Sequence, residues 1–474
     1  MNEIAADIVL LPAVRQLELL HRRELSVVDL AEAHLAQIER LNPQLNAFAD
    51  FDADRVRLQA AQMDASPHRP PLHGLPVTVK SSIATAGYRC EIGTLLRKGD
   101  IPTEDAVVVQ RLRAAGALIL GTTNCPEFLM AYETANLLHG RTRNPWDLDR
   151  SPSGSSGGES AAIAAGMSAG GLGSDSGGSV RVPAHFTGIC SLKPTPGRIP
   201  ARGHIPDNVG PFAILGAIGP MARTMPDISL LFRTLAGQDP EEPASPRQTL
   251  RAPGINELRS NRIGYFEDDG LVPVTPETRA AVQAAAQVLR EAGFQVEPFR
   301  PSTLEALRKL WWTFFVQCGA MFYQPEIRGK HAQLSPIFNE FLSIAEASGP
   351  LTATELLNAW AELDLMRSRT LTEMRDYPVL LCPVASIPAF RHGERTWTID
   401  GQSVQYLDAV RYTQWFNSLA APAAVVPVGR SPEGLPLGVQ IVARPWEDEI
   451  ALGIASIVDA AFGYQPPPMA NGNV

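Results

Sequence analysis

The chain has 474 residues, of which 45% are hydrophobic and 19% charged: enough apolar material for a large core, and too much for disorder. A net charge of −9 without any dense basic cluster argues against nucleic acid as a partner. There is no run of about 18 apolar residues to cross a membrane as a helix, and the N-terminus lacks the basic region of a signal peptide, so a cytoplasmic location is expected.

Ser26 is placed to cap a helix running to Leu41. Asp29 follows three residues on, and Leu30, Ala33, His34, Ile38 and Leu41 share one face; Asn42-Pro43 is expected to end it. A second helix is predicted over 52–65. Val77 to Val79 reads as a short buried strand, 103–115 as a helix stopped by Gly116, and Leu118 to Leu120 as the next strand. This alternation predicts an α/β fold. Residues 237–260, polar and rich in Pro and Arg, read as a surface connection. Strand signals return at 262–265, 378–383 and 424–427, and helix signals at 276–293 and 447–462, so the end of the chain is expected to rejoin the main sheet. Residues after Tyr464 are expected to fray. Four segments follow: an N-terminal helical segment 1–65, a core 66–235, a variable region 236–420 and a C-terminal strand and helix 421–474.

Five widely spaced cysteines (Cys90, Cys125, Cys190, Cys318, Cys382) form no C-x-x-C pair and suit buried free thiols in a reducing compartment. Only five of the 41 basic residues are lysines: Lys80, Lys98, Lys193, Lys309 and Lys330. A lysine kept in so arginine-rich a chain suggests work that arginine cannot do.

Residues 151–182 are the most informative stretch, SPSGSSGGESAAIAAGMSAGGLGSDSGGSVRV. Glycine and serine dominate it, yet an alanine-rich run divides its two polar loops and it does not repeat as a linker would. Such residues contribute little apolar area and cost backbone entropy. A folded chain tolerates them where N–H groups must approach a ligand or a developing charge. Ser179, beside Gly177 and Gly178, is therefore a candidate nucleophile next to a nest of amides; an ordinary Gly-Ser turn is the alternative. Ser155 is a candidate proton relay, or a cap for the alanine-rich helix. Lys80, after a buried strand, is a candidate base if burial lowers its pKa from about 10.4 towards the 7–8 a base needs; a solvated or salt-bridged lysine is the alternative. Arginine cannot serve, since it keeps its proton.

Together these residues resemble the amidase signature family. The resemblance is carried by GLPVTVK at 74–80, GTTNCPEF at 121–128, NPWD at 144–147, all of 151–183, GICSLKPTPGR at 188–198, GPMART at 219–224 and GLPLGVQIV at 434–442. It is dense from about 70 to 230 and thin from 240 to 420. It implies a single domain with a central mixed β-sheet flanked by helices on both faces. It also implies a catalytic triad of Ser179 as nucleophile, Ser155 after a cis peptide bond as bridge, and Lys80 as base, with the N–H groups of Ser176, Gly177, Gly178 and Ser179 as oxyanion hole. The implied reaction is hydrolysis of a carboxylic amide through an acyl-enzyme, needing no metal or other cofactor, with esters and aryl carbamates presenting the same carbonyl. Glu159, Ser81 and Ser176 depart from common family residues without touching the triad.

No G-x-S-x-G elbow or phosphate loop is present. The alternative from another class is the catalytic subunit of a glutamine-dependent tRNA amidotransferase, which would work only in a complex. Aromatics crowd 304–341, and Trp311, Trp312 and Phe315 are expected either to pack in a core helix or to line an apolar entrance for aryl or acyl groups. Arg181 is expected to brace the nucleophile loop rather than bind substrate. A small-molecule amide is the expected partner, and a homodimer is compatible with the sequence.

Overall fold

Short apolar runs with a period of two set the centre of the molecule. In the computed structural model, which describes residues 8–471, eleven strands form one mixed sheet. In chain order they are β1 (Phe48–Phe51), β2 (Pro76–Lys80), β3 (Leu118–Thr123), β4 (Gly170–Asp175), β5 (Cys190–Lys193), β6 (Ala217–Ala222), β7 (Ile263–Tyr265), β8 (Val296–Pro298), β9 (Val379–Pro383), β10 (Ala423–Arg430) and β11 (Pro436–Ala443). In space the order is β1-β3-β2-β4-β6-β5-β10-β11-β9-β7-β8. β2 runs parallel to β3 and β4, and β7 runs parallel to β8 and β9. The remaining neighbours are antiparallel. The C-terminal pair β10–β11 does rejoin the sheet, and lies near its middle.

Alternation assigns each strand residue to a face. Val77 and Val79 of β2, Leu172 of β4, Val426 of β10 and Ile441 of β11 turn towards one large core, shared with helices Val27–Leu45, Met225–Leu235, Pro276–Glu291 and Asp448–Phe462. Each fully buried aliphatic side chain there contributes about 1.5–3 kcal/mol. Thr78 and Lys80 take the opposite face. Two smaller clusters cover that side. One holds Trp311, Phe314, Tyr323, Phe338 and Phe341 with Tyr412 and Trp415; the other holds Tyr132, Val180, Val182, Phe186 and Tyr406. A cavity that reaches Ser179 opens between these two clusters.

Local signals succeeded unevenly. Ser26 caps its helix as expected, accepting from Asp29 N, but the helix runs through Pro43 to Leu45. The missing Pro43 N–H would have bonded the carbonyl of Glu39, an exposed residue. The last turn is closed instead by Asn46 in the left-handed region, and Asn42 Oδ1 accepts from Ala47 N and Phe48 N. The helix predicted from 103 begins at Val107, because Asp105 is taken up elsewhere, by Ala86 N and Arg113. The tail does not fray where it is described: Met469 and Ala470 are buried, and Gln37 and Arg40 donate to their carbonyls. Residues 1–7 and 472–474, which the readings of both termini include, lie outside the described residues. The five cysteines are free, four buried and Cys318 only half-buried. Among the described residues no helix is long and apolar enough to cross a membrane.

Candidate active site

Lys80 is the last residue of β2 rather than the residue beyond a strand, and its side chain is fully buried. Nζ donates to Ser155 Oγ at 2.6 Å and to Ser174 Oγ at 3.1 Å. Desolvation lowers its pKa to about 8, against the opposing pull of Cys125, Asp175 and Glu159. The solvated or salt-bridged alternative is thereby set aside: the lysine is dry, forms no ion pair among the described residues, and meets hydroxyls.

Ser155 follows Gly154 through a cis peptide bond. It does not cap the alanine-rich helix, which spans Gly157–Ala164 with Ser156 at the N-cap position and no side-chain cap bond. Ser179 stands on the tight turn between β4 and the helix Arg181–Thr187. Ser155 and Ser179 line the same cavity.

The turn carrying Ser179 is clamped through its carbonyls. Trp311 Nε1 donates to Ser176 O at 2.8 Å, and Tyr132 Oη and Thr413 Oγ1 both donate to Gly177 O at 2.6 Å. In a trans peptide the N–H points opposite to the C=O, so the bond from Trp311 aims the Gly177 amide the other way. Asp175 holds the base of the turn, accepting from Gly178 N at 2.8 Å and Val180 N at 3.2 Å. This corrects the expected oxyanion hole: the Gly178 N–H is committed to Asp175. The amides of Ser176, Gly177 and Ser179 have no acceptor among the described residues. Gly178 still has to be glycine, with φ +128° and a Cβ there overlapping Thr413 Oγ1.

Arg181 braces this base. It is fully buried and donates to both Asp175 oxygens at 2.9 and 3.0 Å, to Thr413 O at 2.9 Å, to Gln440 Oε1 at 3.2 Å and to Asn417 Oδ1. Burial alone would raise the Asp175 pKa, but Arg181 and Asn417 hold the carboxyl well below the usual range.

Two cavities meet at Ser179. The larger, about 520 Å³, is lined by Met130, Tyr132, Trp311, Phe315, Phe341 and Tyr406 among others. The smaller, about 390 Å³, is lined by Ser155, Ser174, His204, Asn208 and Phe212 among others. His204 Nδ1 donates to Pro206 O at 2.8 Å, which leaves Nε2 to accept from Ser82 Oγ at 3.3 Å; burial lowers its pKa to about 4. Trp311 and Phe315 stack on each other, centroids 4.8 Å apart, on the cavity wall. Trp312 is a correction. One helical step rotates it away from that wall; it lines neither cavity, and its Nε1 donates to Ser348 Oγ at 2.9 Å.

Sequence reasoning missed Tyr132, which precedes the motif, and Thr413, Asn417 and Gln440, which lie far from it in the chain; none carries a local signal. Asp175 and Trp311 were in view, but Asp175 had no role and Trp311 only a lining one.

The family model described as Amidase matches residues 29–452. The chain is 33% identical over 478 residues to a glutamyl-tRNA(Gln) amidotransferase subunit from Roseiflexus castenholzii, covering 92% of this chain and 93% of that one. It is 33% identical over 447 residues to the "Acylamidase" of Rhodococcus erythropolis, covering 92% of each. Among solved structures, that of a 6-aminohexanoate cyclic dimer hydrolase with its substrate superposes with a TM-score of 0.85 at 27% identity, covering 98% of this chain and 99% of that one.

Proposed function

This chain belongs to the amidase family of amide-hydrolysing enzymes, and on that premise we propose that it acts alone on amides of bulky apolar or aryl acids, with Ser179 as nucleophile, Ser155 as relay and Lys80 as base. The observation that carries this reading is the division of space around Ser179. Ser155 lines only the smaller, more polar cavity. The residue that hands a proton to the leaving nitrogen must face that nitrogen, so the amine belongs on the Ser155 side. The acyl group then falls in the larger cavity walled by Trp311 and Phe341, with Phe315 on the boundary between the two cavities.

The steps use the contact of Lys80 with Ser155 and the cavity that Ser155 shares with Ser179. Neutral Lys80 accepts the Ser155 proton across their 2.6 Å contact while Ser155 takes the proton of Ser179. Ser179 Oγ bonds to the carbonyl carbon, and the oxygen gains its negative charge before the amides of Ser176, Gly177 and Ser179. The C–N bond breaks as Ser155 passes a proton to the nitrogen and recovers one from Lys80. The amine leaves, and water then cleaves the acyl–Oγ ester by the same relay, releasing the acid and restoring Ser179. In this reading the core segment 66–235 supplies the reacting groups, and the variable segment 236–420 supplies most of the acyl wall. Esters and aryl carbamates offer the same carbonyl to the same groups.

A second reading is favoured by the amidotransferase relatives: a subunit releasing ammonia from glutamine inside a complex. Free glutamine carries an ammonium and a carboxylate. No lysine or arginine lines either cavity among the described residues, and the one acid, Glu340, is paired with Arg395 at 3.0 Å. The geometry therefore favours an uncharged acyl group.

The test uses the purified chain alone, wild type beside Ser179→Ala, on a p-nitroanilide of an aryl acid, the matching p-nitrophenyl ester, an aryl carbamate and glutamine. Anilide hydrolysis should be present in wild type and lost in the variant by on the order of 10⁴-fold or more. Ammonia released from glutamine with no anilide turnover would favour the second reading.

A further inference from the structure

The site contains a carboxyl that the mechanism does not use. Glu159 lies on the helix Gly157–Ala164, fully buried on the same side of the sheet as Lys80. Its oxygens are held by hydroxyls alone: Thr78 Oγ1 donates to Oε1 at 2.5 Å, and Thr123 Oγ1 donates to Oε2 at 2.7 Å. Both threonines neighbour the base. Thr78 is two residues before Lys80 on β2 and shares its face, while Thr123 of β3 lies in register with Lys80. The site makes room for the carboxyl, since a Cβ on Gly171 would overlap Oε1. A buried charge of this kind is expensive unless it is paired, and Glu159 forms no ion pair among the described residues.

The surrounding hydroxyls accept either form of the acid. Ser168 Oγ donates to Gly170 O at 2.7 Å, so its remaining capacity is to accept, and it lies 3.1 Å from Thr78 Oγ1. Thr78 has a single proton. When Glu159 is a carboxylate, that proton points at Oε1. When Glu159 is an acid, Oε1–H donates to Thr78, whose own proton turns to Ser168. Neither form leaves a buried group unsatisfied.

We propose that Glu159 is a positioning residue for the base: it gives up or holds a proton in step with Lys80, so that Lys80 becomes neutral without the buried site changing its net charge. This rests on Lys80 being the base. The two electroneutral forms are Lys80–NH3⁺ with Glu159–COO⁻ and Lys80–NH2 with Glu159–COOH; one proton has moved between groups and none is gained or lost. Burial pushes Glu159 up to about 8, against the pull of Thr78, Thr123 and Lys80, into the range where Lys80 titrates. The other groups bearing on Lys80 are already settled. Asp175 is neutralised by Arg181, burial raises the Cys125 thiol, and burial leaves His204 uncharged.

The test follows Lys80 directly. With only five lysines in the chain, NMR of protein labelled with ¹³C at lysine Cε can follow the Lys80 titration, assigned by its loss in Lys80→Arg. Glu159→Gln keeps the shape and removes the charge: its oxygen accepts from Thr123, and its NH2 donates to Thr78. The Lys80 midpoint should fall by roughly one to three pH units, and the acid limb of kcat/KM should move down with it. Thr123→Val, which removes a donor from the carboxylate alone, should move both in the same direction by less, and it serves if the first variant fails to fold. An unmoved Lys80 midpoint in a folded variant overturns the proposal. A midpoint that falls while the acid limb stays put supports the coupling but removes Lys80 as the base, so failure of the mechanism is read separately.

Discussion

The two walls of the cavity are held in place by different forces. From Ser151 to Val182 every residue is buried except Ser176, and the loop geometry is set by hydrogen bonds: Asp175, Arg181, Tyr132 and Thr413 each bond several groups. The facing segment is a stack of helices whose contacts are mostly apolar, and its outer helix Ala353–Glu373 buries only Leu363 and Thr370. Hydrogen bonds fix direction, and an amide must be aimed to stabilise an oxyanion. Apolar contacts fix only volume, and they tolerate substitution that conserves it. The difference teaches that the groups proposed to react are held in direction while the wall proposed for the acyl group is free to vary. That agrees with the family resemblance being dense from about 70 to 230 and thin from 240 to 420.

The comparison breaks most readily at Arg181. Replacing it with Ala leaves Asp175 as an uncompensated buried charge, and stability should fall by about 3–5 kcal/mol, read from urea titration; a loss below 1 kcal/mol would show that the turn does not depend on this pair. Trp311 belongs to both walls, so Trp311→Phe separates its two duties. The ring face remains but the N–H to Ser176 O is lost. Steady-state kinetics should show kcat reduced by up to about 10²-fold with KM within about twofold, whereas a change in KM alone would reduce Trp311 to a lining residue.

The pH profile sharpens the polar side. Lys80 must be neutral to accept a proton; burial sets both Lys80 and Glu159 to about 8, and below that value the pair takes up a further proton, which holds Lys80 as the ammonium and stops the reaction. The kcat/KM of an anilide should rise about tenfold per pH unit up to about 8 and level off above it; a profile flat from pH 6 to 9 would remove the assignment. The smallest effects belong to the apolar wall. Phe341→Ala, at a position lining the larger cavity alone, should raise KM roughly tenfold for an aryl-acid anilide and leave a short aliphatic amide unchanged. Trp312→Ala, away from the cavity, should change either by less than about twofold. Equal effects of the two substitutions would contradict the assignment of the wall.

Much of the polar side was legible in the sequence because its residues are close in the chain. Ser155, Ser176, Gly177 and Ser179 fall within 25 residues of one another, and the buried strand before Lys80 is plain in Val77 and Val79. Less of the acyl wall was legible. Trp311, Trp312 and Phe315 are equivalent as aromatic letters, and only the rotation of the helix places two of them on the cavity and one away from it. The same limit applied to Pro43, whose breaking tendency was overridden by Asn42 and Asn46, and to Gly178, whose amide was expected in the oxyanion hole until Asp175 was found to hold it.

The sequence by itself determined the candidates for the reacting groups, the α/β class and the return of the chain's end to the sheet. These rest on local rules: strand alternation, capping residues and a glycine-rich turn that needs few neighbours to be recognised. Only the tertiary structure decided which amides stay free, which aromatics face the cavity and what lies beneath Lys80. Thr413 and Trp311 stand 236 and 135 residues from the loop carbonyls they hold. Glu159 meets the strand of Lys80 through Thr78, 81 residues away. Contacts across such separations exist only once the sheet has brought the strands together, because the direction of a donor and the dryness of a charge are properties of the packed interior and not of the chain.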